Sequence, residues 1–247
     1  MNTHARPTVH ALLILTLSGI VPILGGCGGS KFGSELTAEP KPRGIRKTQS
    51  VTVSVPADEP FSIAIPRASR EPGLDGTADA DANANGDGTA SVSAAVTHSG
   101  TAEGLFQLGH GFANQTDLQM DFDFTVRVRY DLQVSEIPEL SLPDATAGLK
   151  LYARDTQGRL LRDMTLVDNS SETGATRQEA DKTVEFTLTL GPHTAINVFL
   201  AGQARVEIPA DRTASPTASS ILKVDHVEIE LKTRPAPPVR AATDERQ

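Results

Sequence analysis

Apolar and polar residues alternate along much of the chain between residues 51 and 231, and this is the pattern of half-buried β-strands. In the longest run, every second residue from Leu118 to Val134 is apolar, with Asp, Gln, Thr and Arg between them. One face of this strand is therefore predicted to lie in the core and the other in water. No window of a dozen residues shows convincing helical periodicity, so we predict an all-β fold.

Shorter runs predict further strands on both sides of the longest one. Residues 51–55 and 61–65 are predicted to pair with each other, and 149–153 to form a hairpin with 160–167. More strands are expected at 184–190, 196–208 and 227–231, with turns at 155–158 and 191–194, whereas 105–114 is left without a strand and 168–181 is expected to be a polar loop. These hairpin-length connections favour an antiparallel two-sheet β-sandwich, with a jelly roll as one form of it, over a closed barrel.

Residues 78–96 alternate in a different way, with Ala, Gly or Val at every even position and mostly Asp, Asn, Thr or Ser at the odd ones. We predict a hairpin with a small-residue face and a turn at 85–88, with disorder over 70–88 as the alternative. The acidic side also aligns with a calcium-binding loop, but Val92 stands where that loop needs its bidentate Glu. A solvated acidic face is therefore expected there, and the weak calcium candidates are Asp81, Asn83, Asn85 and Asp87.

The N-terminal residues have the parts of a secretory leader. Arg6 precedes an uncharged apolar run over 11–24, which is too short to span a bilayer of roughly 30 Å. The run ends in Leu24-Gly25-Gly26-Cys27, which holds the only cysteine of the chain. These four residues resemble the lipobox of bacterial lipoprotein precursors. An ordinary secreted protein with a stray cysteine, or a short buried helix, are the alternatives.

The resemblance implies a signal peptide at 1–26 and a mature N-terminus at Cys27 that carries a diacylglyceryl thioether and an N-acyl group such as palmitate. Several buried acyl chains give lasting attachment to a lipid bilayer. Gly28 follows the cysteine where an Asp would favour the inner membrane in some Gram-negative bacteria. The resemblance therefore implies a cell-envelope protein, in the outer membrane rather than the inner one.

Composition divides the rest of the chain and limits its partners. We predict a flexible tether at 27–49, a β-sandwich domain at 50–232 and a disordered, Pro-rich tail at 233–247. The formal charge is −8, and removal of residues 1–26 takes away Arg6 and no acid, leaving −9. Nucleic acid is not expected as a partner of so acidic a chain. With its one cysteine lipidated, the domain has no disulfide.

Few residues point to chemistry. His98 and His110 could approach each other across a hairpin, but a hydrogen-bonded His110 at a corner is the preferred interpretation. Tyr152 is expected on a polar face, either displayed for contact or, more simply, packed across strands. Ser220 and Lys223 match S-x-x-K by letters only, and a carboxylate pair is left open.

No cofactor and no enzymatic activity are predicted. The sequence favours a non-enzymatic envelope lipoprotein, a structural or interaction module whose partner is an unknown envelope protein or glycan. The alternative is a glycan- or calcium-binding module that uses the acidic stretch or the end loops.

Overall fold

The computed structural model describes residues 43–45, 50–135, 144–170, 176–210 and 216–237, all within the compact unit that spans 32–247. These residues form twelve strands and no helix, so the described part of the chain contains no apolar helix of membrane-spanning length. The strands are β1 (Arg43–Ile45), β2 (Thr52–Val55), β3 (Ile63–Pro72), β4 (Thr77–Ala84), β5 (Ala90–Thr97), β6 (Gly100–Asn114), β7 (Met120–Val134), β8 (Asp144–Asp155), β9 (Leu160–Ser170), β10 (Thr176–Leu190), β11 (Ala195–Ile208) and β12 (Thr217–Pro235).

The strands form two six-stranded sheets, which confirms the two-sheet β-sandwich. In sheet A the order is β1-β6-β11-β8-β9, and β3 shares the outer edge of β6 with β1. In sheet B the order is β10-β7-β12-β5-β4, and β2 shares an edge of β12 with β5. Strands β5 to β12 thus give the orders β5-β12-β7-β10 and β6-β11-β8-β9, which is the strand order of a jelly roll. All pairs are antiparallel except β1 with β6.

The core lies between the sheets and is built from the apolar face of each alternating strand. β7 supplies Phe122, Phe124 and every second residue on to Val134, all nearly inaccessible to solvent. The Phe124 ring stacks on Phe186 of β10 at 5.0 Å and meets Phe112 of β6 edge-on at 5.3 Å. The core therefore joins both sheets through Phe rings and aliphatic side chains, as a chain without Trp requires.

The hairpin predicted over 78–96 is confirmed by the pairing of β4 with β5. Its turn is closed where the Asn85 N–H donates to the Thr89 carbonyl at 2.9 Å. The alanines of β4 pack against the core, and a Cβ on Gly104 of β6 would lie 2.6 Å from the Asp81 carbonyl. The small-residue face thus lets the two sheets approach until backbone meets backbone.

Several predicted boundaries and pairings were wrong. Residues 51–55 and 61–65 do not pair, because β2 joins sheet B and β3 joins sheet A. Residues 105–114 belong to β6, and the expected loop at 168–181 is shortened by β9 and β10. β1 lies inside the predicted tether, with Ile45 buried, and β12 runs past residue 232 to Pro235. Pairing with β6 and β7 provides the hydrogen bonds that local composition did not indicate.

Candidate functional site

One end of the sandwich gathers three connections of the jelly roll. They are the β6–β7 loop at 115–119, the β8–β9 turn at 156–159 and the β10–β11 turn at 191–194. Nε2 of His193, whose backbone is left-handed with φ of 55°, lies 2.9 Å from Oδ1 of Asp117. This contact links the β10–β11 turn to the β6–β7 loop.

Asn114, the last residue of β6, ties this end together from the inside. It is fully buried, and its Nδ2 donates to the carbonyls of Leu118, Leu190 and Gly191 at 2.8–3.2 Å. Its Oδ1 accepts hydrogen bonds from the N–H and the hydroxyl of Thr116. One side-chain amide therefore supports both the β6–β7 loop and the β10–β11 turn.

Asp155 shapes the β8–β9 turn in a similar way. Its Oδ1 accepts the N–H groups of Gln157 and Arg159, and its Oδ2 lies 2.9 Å from Nε of Arg159. Gly158 has φ of 78°, a conformation that favours glycine. The turn predicted from these residues is confirmed, and both oxygens of the Asp155 carboxylate are bonded within it.

A cleft of about 470 Å³ lies between the β8–β9 turn and the β10–β11 turn. A volume of this size is within the range of small-molecule sites. Leu161 is the most exposed apolar side chain of the lining, and the polar lining residues carry hydroxyl, amide, imidazole and guanidinium groups. The lining residues are Asp155, Thr156, Gln157, Arg159, Leu161, Thr189, Leu190, Gly191, His193, Thr194, Ala195 and Ile196. The sequence marked the two turns but did not indicate that they face each other.

His110 does not sit at a corner and does not approach His98. It lies within β6 and is 4% exposed, whereas His98 is exposed in the turn before that strand. The residues between them run along the extended strand β6, and β5 and β6 lie in different sheets, so no hairpin brings the two side chains together. The hydrogen-bonded character of His110 is confirmed, because its Nδ1 accepts the Ser62 N–H at 3.2 Å.

His110 also has a charged neighbour. Its Nε2 lies 3.2 Å from Oε1 of Glu59, and the same oxygen lies 2.8 Å from Nη1 of Arg43. Burial lowers the pKa of His110 below its ordinary value, and Glu59 only partly opposes this because Arg43 acts in the other direction. The cluster joins β1, the 56–62 segment and β6, and its contacts are all between parts of the fold.

The acidic hairpin places its four calcium candidates along one edge. Asp81 and Asn83 are exposed on β4, two residues apart, and their side chains are therefore roughly 7 Å apart. In the turn, Oδ1 of Asp87 accepts both the hydroxyl and the N–H of Thr89, and these bonds lower the pKa of Asp87. The side chain of Asn85 donates to the same Thr89 hydroxyl. Among the described residues, no group of three or more His, Asp or Glu side chains could hold a metal ion.

Tyr152 points to the outer face of sheet A, as alternation predicts, but it is not displayed. Only 6% of it is exposed, and its ring stacks on Phe199 of β11 at a centroid distance of 5.5 Å. The guanidinium of Arg154 lies over both rings, at 5.2 and 5.7 Å. Ile63 and Ala201 complete this second apolar cluster. Cross-strand packing, the simpler of the two expectations, is thus confirmed.

The remaining sequence candidates do not converge. Ser220 is buried and donates to the Thr146 carbonyl at 2.6 Å, whereas Lys223 is paired with Asp225. The S-x-x-K letters therefore do not form a catalytic pair. Cys27, the predicted lipidation site, lies outside the described residues.

Comparison with known proteins identifies no family for this chain. No protein-family model matches the sequence, and no curated protein matches it. Among solved structures, one of infectious bursal disease virus, Gt strain, is similar with a TM-score of 0.23 at 12% identity. That match covers 71% of this chain and 38% of the viral chain, so this chain spans about two fifths of the viral protein.

Two carbohydrate-binding modules are also similar. The xylan-binding domain from Paenibacillus barcinonensis has a TM-score of 0.19 at 12% identity, over 75% of this chain and 97% of that domain. A family 11 module of a Clostridium thermocellum cellulase has a TM-score of 0.18 at 8% identity, over 77% of this chain and 98% of the module. At these scores the likeness identifies no ligand for this chain, which is a β-sandwich module by its own strand pairing.

Proposed function

We propose that the chain is a non-enzymatic, membrane-anchored lipoprotein of the bacterial cell envelope, and that its jelly roll is a structural or interaction module. The observation that carries the proposal is the lipobox-like Leu24-Gly25-Gly26-Cys27 after an apolar leader. Acylated Cys27 would hold the domain at the bilayer. The net negative charge of the chain fits a domain kept away from anionic headgroups.

Mass spectrometry of the protein from a bacterial envelope tests the anchor. We expect the mature chain to begin at Cys27 with a diacylglyceryl group and an N-acyl group. Cys27→Ser is expected to abolish the added mass and to leave the chain unprocessed, whereas Ser30→Ala, just outside the four residues, is the matched control. An unmodified Cys27, or an unprocessed chain in the cytosol, would contradict the proposal.

The choice of membrane has its own test. Gly28→Asp is expected to move the protein from outer- to inner-membrane fractions in a host that sorts by this position, whereas Gly29→Ala is expected to leave it in place. Wild-type protein in the inner membrane would overturn the outer-membrane assignment while leaving the anchor intact. Crosslinking in intact cells would then identify the partner. Turnover of an envelope substrate that depends on one Asp or Glu would contradict the non-enzymatic assignment.

A second function, ligand binding, is favoured by the cleft between the β8–β9 and β10–β11 turns. Its exposed Leu161 and its hydroxyl, amide and guanidinium groups suit a glycan, whereas the Asp87 carboxylate of the acidic hairpin is already engaged in its own turn. A ligand that binds only the folded chain raises its melting temperature. We expect a rise with saccharides and none with calcium, and absence of both would leave the first function alone.

A further inference from the structure

We infer that the end cleft binds one ring of an uncharged saccharide, and this inference rests on the proposed glycan-binding function. The cleft joins two surfaces that a pyranose ring needs. Leu161, which is 37% exposed, offers aliphatic contact to the C–H groups of the ring, whereas Leu190 and Ile196 are 5% and 1% exposed and belong to the core. Hydroxyl, amide and guanidinium groups among the other lining residues can form hydrogen bonds with ring hydroxyls.

The polar rim has capacity that the fold itself does not use. Of the three guanidinium nitrogens of Arg159, Nε is the one held by Asp155, so Nη1 and Nη2 extend toward solvent. Within the described part of the chain, the side chains of Thr156 and Gln157 have no hydrogen-bond partner. Paired donors on one guanidinium match two neighbouring hydroxyls of a sugar ring, and Gln157 adds both a donor and an acceptor.

The charges around the cleft favour a neutral ligand over an acidic one. Arg159 lies 2.9 Å from Asp155, and His193 lies 2.9 Å from Asp117. The Arg159 guanidinium thus has its own carboxylate, so an anionic sugar finds little net positive charge there. The carboxylates do not repel an uncharged ring, which can still form hydrogen bonds with the polar side chains of the cleft.

The absence of Phe, Tyr and Trp from the lining sets the expected affinity. Sugar sites commonly gain from a ring that stacks on the C–H face, and the cleft supplies only aliphatic side chains for this contact. Affinity for a single ring is therefore expected on the order of 1 mM. An aromatic side chain introduced at position 161 should strengthen binding, which provides a gain-of-function test.

The test is saturation-transfer NMR on the purified full chain in detergent micelles, titrated with glucose, galactose, N-acetylglucosamine and glucuronate. We expect saturation transfer to at least one neutral sugar and weaker binding of glucuronate than of glucose. Gln157→Ala should weaken binding about fivefold or more, whereas Gln133→Ala, an exposed amide on β7, should leave it unchanged. Leu161→Trp should strengthen binding about 2- to 10-fold. Its control is Ile221→Trp on sheet B, since Leu161 is 37% and Ile221 42% exposed.

The outcomes separate the site from the function. No transfer to any neutral sugar would overturn glycan binding and the cleft assignment together. Binding that survives Gln157→Ala, or that increases equally in Leu161→Trp and Ile221→Trp, would place the sugar elsewhere and overturn the cleft alone. Tighter binding of glucuronate than of glucose would show that the ligand class is wrong. Circular dichroism melts of the four variants confirm that each is folded before it is compared.

Discussion

The imidazole of His110 and the carboxylate of Glu59 meet at 3.2 Å in the seam where β1 and β3 share the edge of β6. On the other side of the ring, Nδ1 accepts the Ser62 N–H, which requires an unprotonated nitrogen. A second proton on the ring would break this bond and place a cation in a buried position beside Arg43. The folded state therefore favours neutral His110, in agreement with its lowered pKa.

This arrangement predicts a loss of stability in mild acid. Because the folded pKa of His110 lies below the unfolded value of about 6.5, the unfolded chain binds more protons as the pH falls through that value. The free energy of unfolding should thus decrease from about pH 6.5 down to the folded pKa, and change no further through this group below it. Urea denaturation at pH 7.5, 6.5 and 5.5 measures the slope.

His110→Gln keeps a hydrogen-bonding side chain but removes the titration, so its stability should change less over the same pH range than that of the wild-type chain. His226→Gln, on the exposed face of β12, is the matched control and should retain the wild-type slope. Equal slopes in the wild-type and His110→Gln chains would contradict the assignment.

The strands that could be predicted are those with one buried face and one solvent-exposed face. β7 follows the alternation almost throughout, although it begins at Met120 rather than at Leu118, which is half exposed. β6 could not be predicted, because nearly every residue from 105 to 114 is buried and two of the ten, Gly109 and Gly111, are glycines that interrupt the alternation. A Cβ on Gly109 would lie 2.2 Å from the Val198 carbonyl, so glycine is needed there for close packing rather than for a turn.

Gly104 provides a direct test of how closely the sheets approach. A Cβ on this residue would lie 2.6 Å from the Asp81 carbonyl and 3.1 Å from that of Ser93, both rigid backbone atoms. Gly104→Ala should therefore lower the free energy of unfolding by about 1–3 kcal/mol. Gly191→Ala is the control, since its nearest atom would be 3.8 Å away and its effect should stay within about 1 kcal/mol. Urea denaturation of both variants decides, and equal stabilities would contradict the close approach.

The stacked rings of Tyr152 and Phe199 should contribute beyond the area that each buries. They are direct cross-strand partners of β8 and β11, with centroids 5.5 Å apart. A double-mutant cycle of Tyr152→Leu and Phe199→Leu should give a coupling energy of about 0.5–1.5 kcal/mol. A cycle of Tyr152→Leu with Ile221→Ala, on the other sheet, should be additive within about 0.5 kcal/mol. Additivity in the first cycle would show that the rings pack independently.

The candidate site was less predictable than the strands that carry it. The turns at 155–158 and 191–194 are marked by their Gly, Pro and Asp residues, and both form as expected. Their meeting at one end depends on the jelly-roll order, which places β8 beside β11. Alternation shows which face of a strand is buried but not which strand lies beside it. A cleft formed between two turns could therefore not be derived from alternation.

Asn114 supports Leu190 and Gly191, which line the cleft, and its replacement by Asp tests this support at nearly constant volume. The three carbonyls that now accept from Nδ2 would face a carboxylate oxygen, which cannot donate when ionised. The Leu190 carbonyl would lose a buried donor, and the Leu118 and Gly191 carbonyls would keep only their bonds from Thr116 and Thr194. A buried charge would also be added, so Asn114→Asp should lower the free energy of unfolding by at least about 2 kcal/mol at pH 7. Because an exposed side chain has no such partners, Asn83→Asp on β4 should change it by less than about 0.5 kcal/mol. Urea denaturation of the two variants gives the comparison, and wild-type stability in Asn114→Asp would show that the loop and the turn are held by other contacts.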